Sequence, residues 1–274
     1  MSGHPPWLEL RRGAAPLVVS IPHTGLDLAG LEPRLVSPWL ARKDADWWIE
    51  TLYAFAADLD ATVIRTTISR TVIDVNRDPS GASLYPGQAT TGLCPVTTFD
   101  GEPLYRLGEE PSAAEIAERR TAWFDPYHDT LAAEIGRLRA SHDTVVLYDC
   151  HSIRSAIPRL FEGELPVFNL GTNSGASASP ALVAEVEGLV AASGLSHVTN
   201  GRFKGGWITR HNGAPTHGVH ALQMELACRG YMRERPGPVM DADWPAPWDA
   251  AFAAPIQATL RRVLEACLAF ASRP

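Results

Sequence analysis

The chain has no apolar stretch approaching the ~20 residues that span a bilayer, and its N-terminal Met1-Ser2-Gly3-His4-Pro5-Pro6-Trp7 lacks the basic-then-apolar order of a secretion signal. A soluble, cytoplasmic protein with no membrane partner is expected. Cysteine is sparse. Cys94, Cys150, Cys228 and Cys267 stand far apart with no C-x-x-C pair, which argues against a disulfide framework or a thiolate zinc site and predicts packed, reduced thiols. Positive charge is in deficit too: 24 Lys and Arg face 31 Asp and Glu, with no long basic block, so nucleic acid is not an expected partner. The sequence also contains no G-x-S-x-G elbow, no P-loop, no G-x-G-x-x-G fingerprint, no internal repeat and no low-complexity tract.

What is present is a 45% hydrophobic chain of 274 residues, enough for one large core and consistent with a single domain over 1–274. Short apolar runs alternate with helical stripes. Strands are expected at 15–22, 61–66, 71–75, 144–152, 165–173, 196–200 and 219–227. Helices are expected from about Pro38 to Asp58, from the Ser112-x-x-Glu115 capping box through a break at Pro126 to Ala140, over 181–192 and over 248–270. Residues 80–108, rich in Gly, Pro, Thr and Tyr, read as a long functional loop. The alternation predicts an α/β fold, a three-layer sandwich around a mixed, mainly parallel sheet.

Polar side chains gather at the predicted strand ends. The run Thr144-Val-Val-Leu-Tyr-Asp-Cys-His-Ser152 delivers Asp149 and His151 to one face, with Cys150 turned to the other. His23 follows the strand at 15–22. Asp44 and Asp46 stand at the front of the next helical stripe, where acids can also merely complement the helix dipole. Arg70, Asn76 and Arg77 flank the predicted strand at 71–75 and suit carboxylate recognition, as does Arg210 in a glycine-punctuated cationic loop. Gln223 and Glu225 share a face, and a glutamate among Leu222, Met224 and Leu226 is costly unless it has a job or a cation. His217 and His220 form a weaker rival pair without the i,i+4 spacing of a helical zinc motif, and His128 reads as a packing residue.

Two histidines and a carboxylate leave zinc an open position for water. A nearby glutamate can take that water's proton, and arginines can hold an anionic substrate. Hydrolysis of an amide in an acidic N-acyl compound follows from that set.

The quoted residues also carry a resemblance. Ser20-Ile-Pro-His-Thr-Gly25, Asp44-Ala-Asp-Trp47, Ser69-Arg70 with Ile73-Asp-Val-Asn-Arg77, Tyr85-Pro-Gly-Gln88, Asp149-Cys-His-Ser152 and Leu222-Gln-Met-Glu225 run, in order, like the motifs of the N-formylglutamate amidohydrolase (deformylase) family. The match extends from about Pro16 to Tyr231. It implies a fold similar to zinc-dependent exopeptidases of the carboxypeptidase kind, and hydrolysis of N-formyl-L-glutamate to formate and L-glutamate late in histidine degradation. It further implies one zinc, or another divalent metal, per chain, with His23, His151 and an acid of the Asp44/Asp46 pair as ligands. Asp46 is preferred because it directly precedes the apolar helical run. Glu225 becomes the general base, and Asn76 and Arg77, with Arg70 close by, resemble the carboxylate-binding Asn-Arg pair of carboxypeptidases; Arg210, read from its loop, joins them as an expected substrate-binding residue. One departure stands out: carboxypeptidases use H-x-x-E, whereas three residues after His23 stands Leu26. The rival expectations are a related zinc amidohydrolase for another N-acyl amino acid or small peptide, and a non-catalytic protein that binds an acidic metabolite.

Overall fold

The computed structural model describes residues 4–273; Met1, Ser2 and Gly3 of the N-terminal stretch quoted above, and Pro274, lie outside the described residues. In chain order the elements are β1 (Leu8–Arg11), β2 (Leu17–Ile21), α1 (Pro38–Lys43), α2 (Ile49–Leu52), β3 (Thr62–Thr66), α3 (Ala113–Arg119) and α4 (Asp125–Arg139). They continue with β4 (Val145–Ile153), β5 (Phe168–Gly171), α5 (Pro180–Ala192), β6 (His197–Thr199), α6 (Trp207–Asn212), β7 (Val219–Ala227) and α7 (Ala250–Ala271). The strands form one sheet in the order β1-β3-β2-β4-β7-β5-β6. β1 runs antiparallel to β3 and β5 antiparallel to β7, while the other neighbouring pairs are parallel. The sheet is therefore mixed and mainly parallel, with helices on both faces. No described helix is long and apolar enough to cross a membrane.

Side chains alternate across a strand, and here the alternation sorts core from site. Leu17, Val19 and Ile21 of β2, Val146, Tyr148 and Cys150 of β4, and Leu222, Met224 and Leu226 of β7 enter one hydrophobic cluster with α5 and α7. On the opposite face Val18, Val145, Leu147 and Ala221 pack with Tyr127 and Leu131 of α4. Farther along that second face the same strands present Ser20, Asp149, His151, Gln223 and Glu225, all buried. The connection from β2 goes to β3 on one side, and the chain then returns to β4 on the other. The carboxyl ends of β2 and β4 thus border a topological switch point, where open α/β sheets hold their ligands.

Three local expectations are corrected. The stretch Thr71–Val75 is not a strand but a buried turn. Ser69 Oγ accepts from Thr71 N and Asp74 Oδ1 from Asn76 N, and these side-chain bonds replace a ladder. The helix expected from Pro38 to Asp58 is broken: α1 ends with Asp44 as its C-cap, α2 starts only after Trp48 at φ 63°, and Asp46 N donates to His23 O at 3.0 Å instead of to a helical carbonyl. The loop at 201–213 contains α6. By contrast, Ser112 Oγ does cap α3, and a π turn at Arg120–Phe124 joins α3 to α4 with Pro126 in the first turn of α4, where its missing N–H costs little. Edge strand β1 had no expectation attached to it.

Candidate metal centre

The break between α1 and α2 places Asp46 opposite the two strand-end histidines. His23 lies just past β2 and His151 near the end of β4; with Asp46, each is no more than 2% exposed. Their facing atoms form a triangle: Nδ1 of His23 to Nδ1 of His151 is 3.1 Å, His151 Nδ1 to Asp46 Oδ2 is 3.2 Å and His23 Nδ1 to Asp46 Oδ2 is 3.6 Å. Adjacent ligands of a tetrahedral zinc with bonds near 2.0 Å are about 3.3 Å apart, so these three atoms can serve as one face of such a site.

The surroundings orient the rings. His23 Nε2 lies 2.7 Å from Asp74 Oδ1 and His151 Nε2 lies 2.8 Å from Asp149 Oδ2. A carboxylate accepts, so each Nε2 carries the proton and each Nδ1 turns a lone pair inward. With both rings neutral, two imidazole lone pairs and a carboxylate oxygen converge, an arrangement that suits a cation; without one, the raised pKa of His151 places a second proton on its Nδ1, which a cation would displace. The orienting acids are themselves held. Asp149 accepts from Ser20 Oγ at 2.9 Å and from Asn76 Nδ2 at 3.1 Å. Asp74 accepts from Arg70 Nη2 at 2.7 Å and has Arg77 Nη2 at 3.5 Å.

Charge follows from this packing. Burial alone raises Asp74, but Arg77, His23 and Arg70 outweigh it and hold the carboxyl well below the usual range. Asp46 is likewise lowered against its burial by His23, His151 and Arg70. Burial disfavours a charged His151, yet Asp149 and Asp46 raise its pKa well above an ordinary imidazole. Glu225 goes the other way. It sits beside His151 in the β4–β7 register, buried, with Gln223 Nε2 donating to its Oε2 at 2.9 Å. Desolvation dominates and pushes it to about 7.

A pocket opens over this centre, lined by His23, His151, Glu225, Gln223, Asn76 and Gly206 on the sheet side. Arg70, Arg77, Tyr85, Thr91, Phe99, Arg202 and Phe203 line its other walls. A Cβ at Gly206 would sit 2.4 Å from Asn76 Nδ2, so only glycine lets the loop lie so close. Arg70 donates through both terminal nitrogens to Asp46 and Asp74 and lies over the Phe99 ring. Asn76 joins Asp149 to α6 by accepting from Ile208 N at 2.8 Å. Arg77 is held by Thr91 O and Thr91 Oγ1. Arg210 is not part of the lining: its Nε donates to Gly205 O and its guanidinium lies over Tyr85. Asp44 stays outside as well, accepting from Phe99 N at 2.6 Å and pairing with Arg154 Nη2 at 3.2 Å.

Other expected histidines fall elsewhere. His217 is exposed, whereas His220 accepts from Ser179 N and packs edge-on against Phe270. His128 lies against Phe124, and its burial lowers it to about 4 despite a bond to Val75 O. All four cysteines are buried and none is in a disulfide. Arg202 and Tyr85 line the pocket without having been singled out as substrate contacts, although each lay within a stretch noted above, the cationic loop at 201–213 and the Tyr85-Pro-Gly-Gln88 motif.

Residues 15–232 match the family model of N-formylglutamate amidohydrolase. N-formylglutamate deformylases of Pseudomonas aeruginosa and Pseudomonas putida are 47% and 46% identical to the chain over 265 residues, covering 96% of it and 96% of each relative. Among solved structures, an N-formylglutamate amidohydrolase from Ralstonia eutropha JMP134 superposes with a TM-score of 0.78 at 22% identity, over 96% of this chain and 98% of that one. A gene product of Agrobacterium tumefaciens does so with 0.67 at 16%, over 96% and 93%. At those identities the two structures speak for the fold alone.

Proposed function

The chain belongs to the N-formylglutamate amidohydrolase family, and we propose on that premise that it hydrolyses N-formyl-L-glutamate to formate and L-glutamate with a zinc ion held by His23, Asp46 and His151. The observation that carries the reading is the convergence of two imidazole nitrogens with a fully buried Asp46 oxygen, the two rings lining a pocket that also holds a buried, basic glutamate. A bound zinc would supply Lewis acidity toward the formyl oxygen and a water acidified enough to attack near neutral pH.

The remaining work falls to the protein. Glu225 takes the proton of the attacking water and passes it to the departing amine, for which a carboxylate near neutrality is better matched than one at 4.5. Asp74 and Asp149 hold the two rings in the tautomer that points Nδ1 inward. Arg77, with Asn76 beside it, receives the α-carboxylate of the substrate. Arg70, fixed between Asp46 and Asp74, adds positive charge where the carbonyl oxygen gains negative charge. Arg210 is assigned no substrate contact. The chain acts as a single metallohydrolase domain, and its buried thiols are in keeping with a reducing cytoplasm. A place late in histidine degradation belongs to the same proposal and follows from the family resemblance.

The test is formate release from N-formyl-L-glutamate together with metal content. About one zinc per chain and release much faster than acetate release from N-acetyl-L-glutamate is the expected result. A metal-bearing protein that prefers the acetyl or a peptide substrate would point to a related amidohydrolase, and a metal-free, inactive one to a binding protein.

The pH profile has a defined sign. A general base works deprotonated, so kcat/KM falls as pH drops through the Glu225 pKa. Burial sets that pKa to about 7 in the metal-free site, and a bound cation lowers it. The acid limb should therefore have unit slope and a midpoint above the ordinary glutamate value of 4.5 but no higher than about 7. A profile flat down to the ordinary carboxylate range would remove Glu225 from this role.

A further inference from the structure

The pocket wall carries three arginines, and two of them already face carboxylates: Arg70 donates to Asp46 and Asp74, and Arg77 lies 3.5 Å from Asp74. Arg202 differs. Its Nε donates to Leu160 O and its Nη2 to Ala89 O, both at 3.0 Å, and the guanidinium lies 5.3 Å from the Tyr85 centroid and 5.2 Å from that of Phe203. These contacts fix the plane of the group, yet none neutralises it. Among the described residues it forms no ion pair, and its Nη1 has no acceptor. Burial and the nearby charge of Arg77 lower its pKa, which marks two cations sharing one pocket. The Nε edge of the fork is committed to carbonyls, while Nη1 and the second hydrogen of Nη2 remain for an oxyanion, the arrangement that grips a carboxylate bidentately.

We propose that Arg202 is the specificity residue for an acidic side chain, receiving the distal carboxylate of the N-acyl amino acid while Arg77 holds the α-carboxylate. This rests on the reading of the site given above. The assignment follows from connectivity. Arg77 reaches His23 through Asp74 and so lies near the reacting amide, as an α-carboxylate must. The hydrogen bonds and ring contacts of Arg202 all go to the outer wall, to Ala89, Leu160, Tyr85 and Phe203, and none goes to His23, His151 or the acids that orient them; the distal carboxylate likewise stands farther from the amide by the length of the side chain. Arg202 also ties its own loop to the 80–108 loop through Ala89 O and to the segment of Leu160, and Tyr85 OH adds a second tie by donating to Gly205 O.

The experiment compares N-formyl-L-glutamate with N-formyl-L-glutamine, which has the same length and no distal charge, on the metal-loaded wild type, Arg202→Gln and Arg202→Lys, with formate release and metal content measured for each. The expected result for Arg202→Gln is a fall of roughly 100-fold in kcat/KM on the glutamate compound, mostly in KM, as for loss of a buried charge-assisted pair. The wild-type preference for glutamate over glutamine shrinks by a similar factor. Arg202→Lys keeps the charge but loses the fork and should retain an intermediate preference. A preference unchanged in Arg202→Gln, or an equal loss on both substrates with metal retained, overturns the assignment. Should Arg202→Gln lose its metal or its fold, an unchanged preference in Arg202→Lys overturns it instead. A wild type that releases no formate from either compound refutes the function itself, an outcome distinct from any change in ratio.

Discussion

Glu225→Gln is expected to keep its metal and its substrate affinity while kcat falls by roughly 10²–10⁴-fold, the range associated with losing a positioned general acid–base. The substitution is nearly isosteric and removes a buried, hard-to-ionise carboxyl, so the fold should not suffer. Gln223 Nε2, which now donates to Glu225 Oε2 at 2.9 Å, can donate to the new amide oxygen once that amide is turned. Steady-state kinetics with metal analysis decide the matter. Activity within tenfold of the parent would mean that the water loses its proton elsewhere, and a lost metal would mean that Glu225 supports the centre and not the reaction.

The second large effect separates two neighbouring aspartates. Asp46→Ala removes one corner of the triangle and leaves Arg70 Nη1 and Ser152 N without the acceptor they share. Its metal content and its turnover should both fall below detection. Asp44→Asn should do neither. Asp44 is mostly covered and accepts from Phe99 N and Arg154 Nη2, so weakening those bonds costs stability, about 1–3 kcal/mol as for a compromised buried polar partner. Thermal melts and metal content of the two variants give opposite patterns: Asp46→Ala loses metal, Asp44→Asn loses melting temperature. Metal loss in Asp44→Asn with retention in Asp46→Ala would exchange their roles.

That contrast also marks where sequence reasoning reached and where it stopped. Period-2 alternation in β4 and β7 is strong because one face is packed with Tyr148, Cys150, Leu222 and Met224, so placing His151 and Glu225 on the other face needed no structure. The polar face of those strands was legible for that reason. The helical stripe from Trp39 to Leu59 was read as continuous because periodicity reports burial and not connectivity. Ile49 and Leu52 are indeed buried, but the backbone between α1 and α2 turns away to meet His23 O. Residues 71–75 failed for a related reason: Val72, Ile73 and Val75 have strand composition, yet the neighbouring Ser69 and Asp74 side chains offer the backbone a turn. Arg202 could not be singled out, since what distinguishes it from Arg210 is which carbonyls happen to meet it, and those come from loops 42 and 113 residues away in sequence.

The separation of the two histidines has a consequence for how the molecule assembles. His23 and His151 are 128 positions apart, so their nitrogens face each other only after β2 and β4 have paired, and an unfolded chain has no preformed site. A cation held there, as proposed, would act as a reversible cross-link closing a long loop and would bind the native state alone. By mass action it would add about 4 kcal/mol to folding with free metal a thousandfold above its dissociation constant. Loss of such a cation and separation of the central strands would then be linked events, so the conditions that empty the centre would also be those under which the sheet is most easily opened.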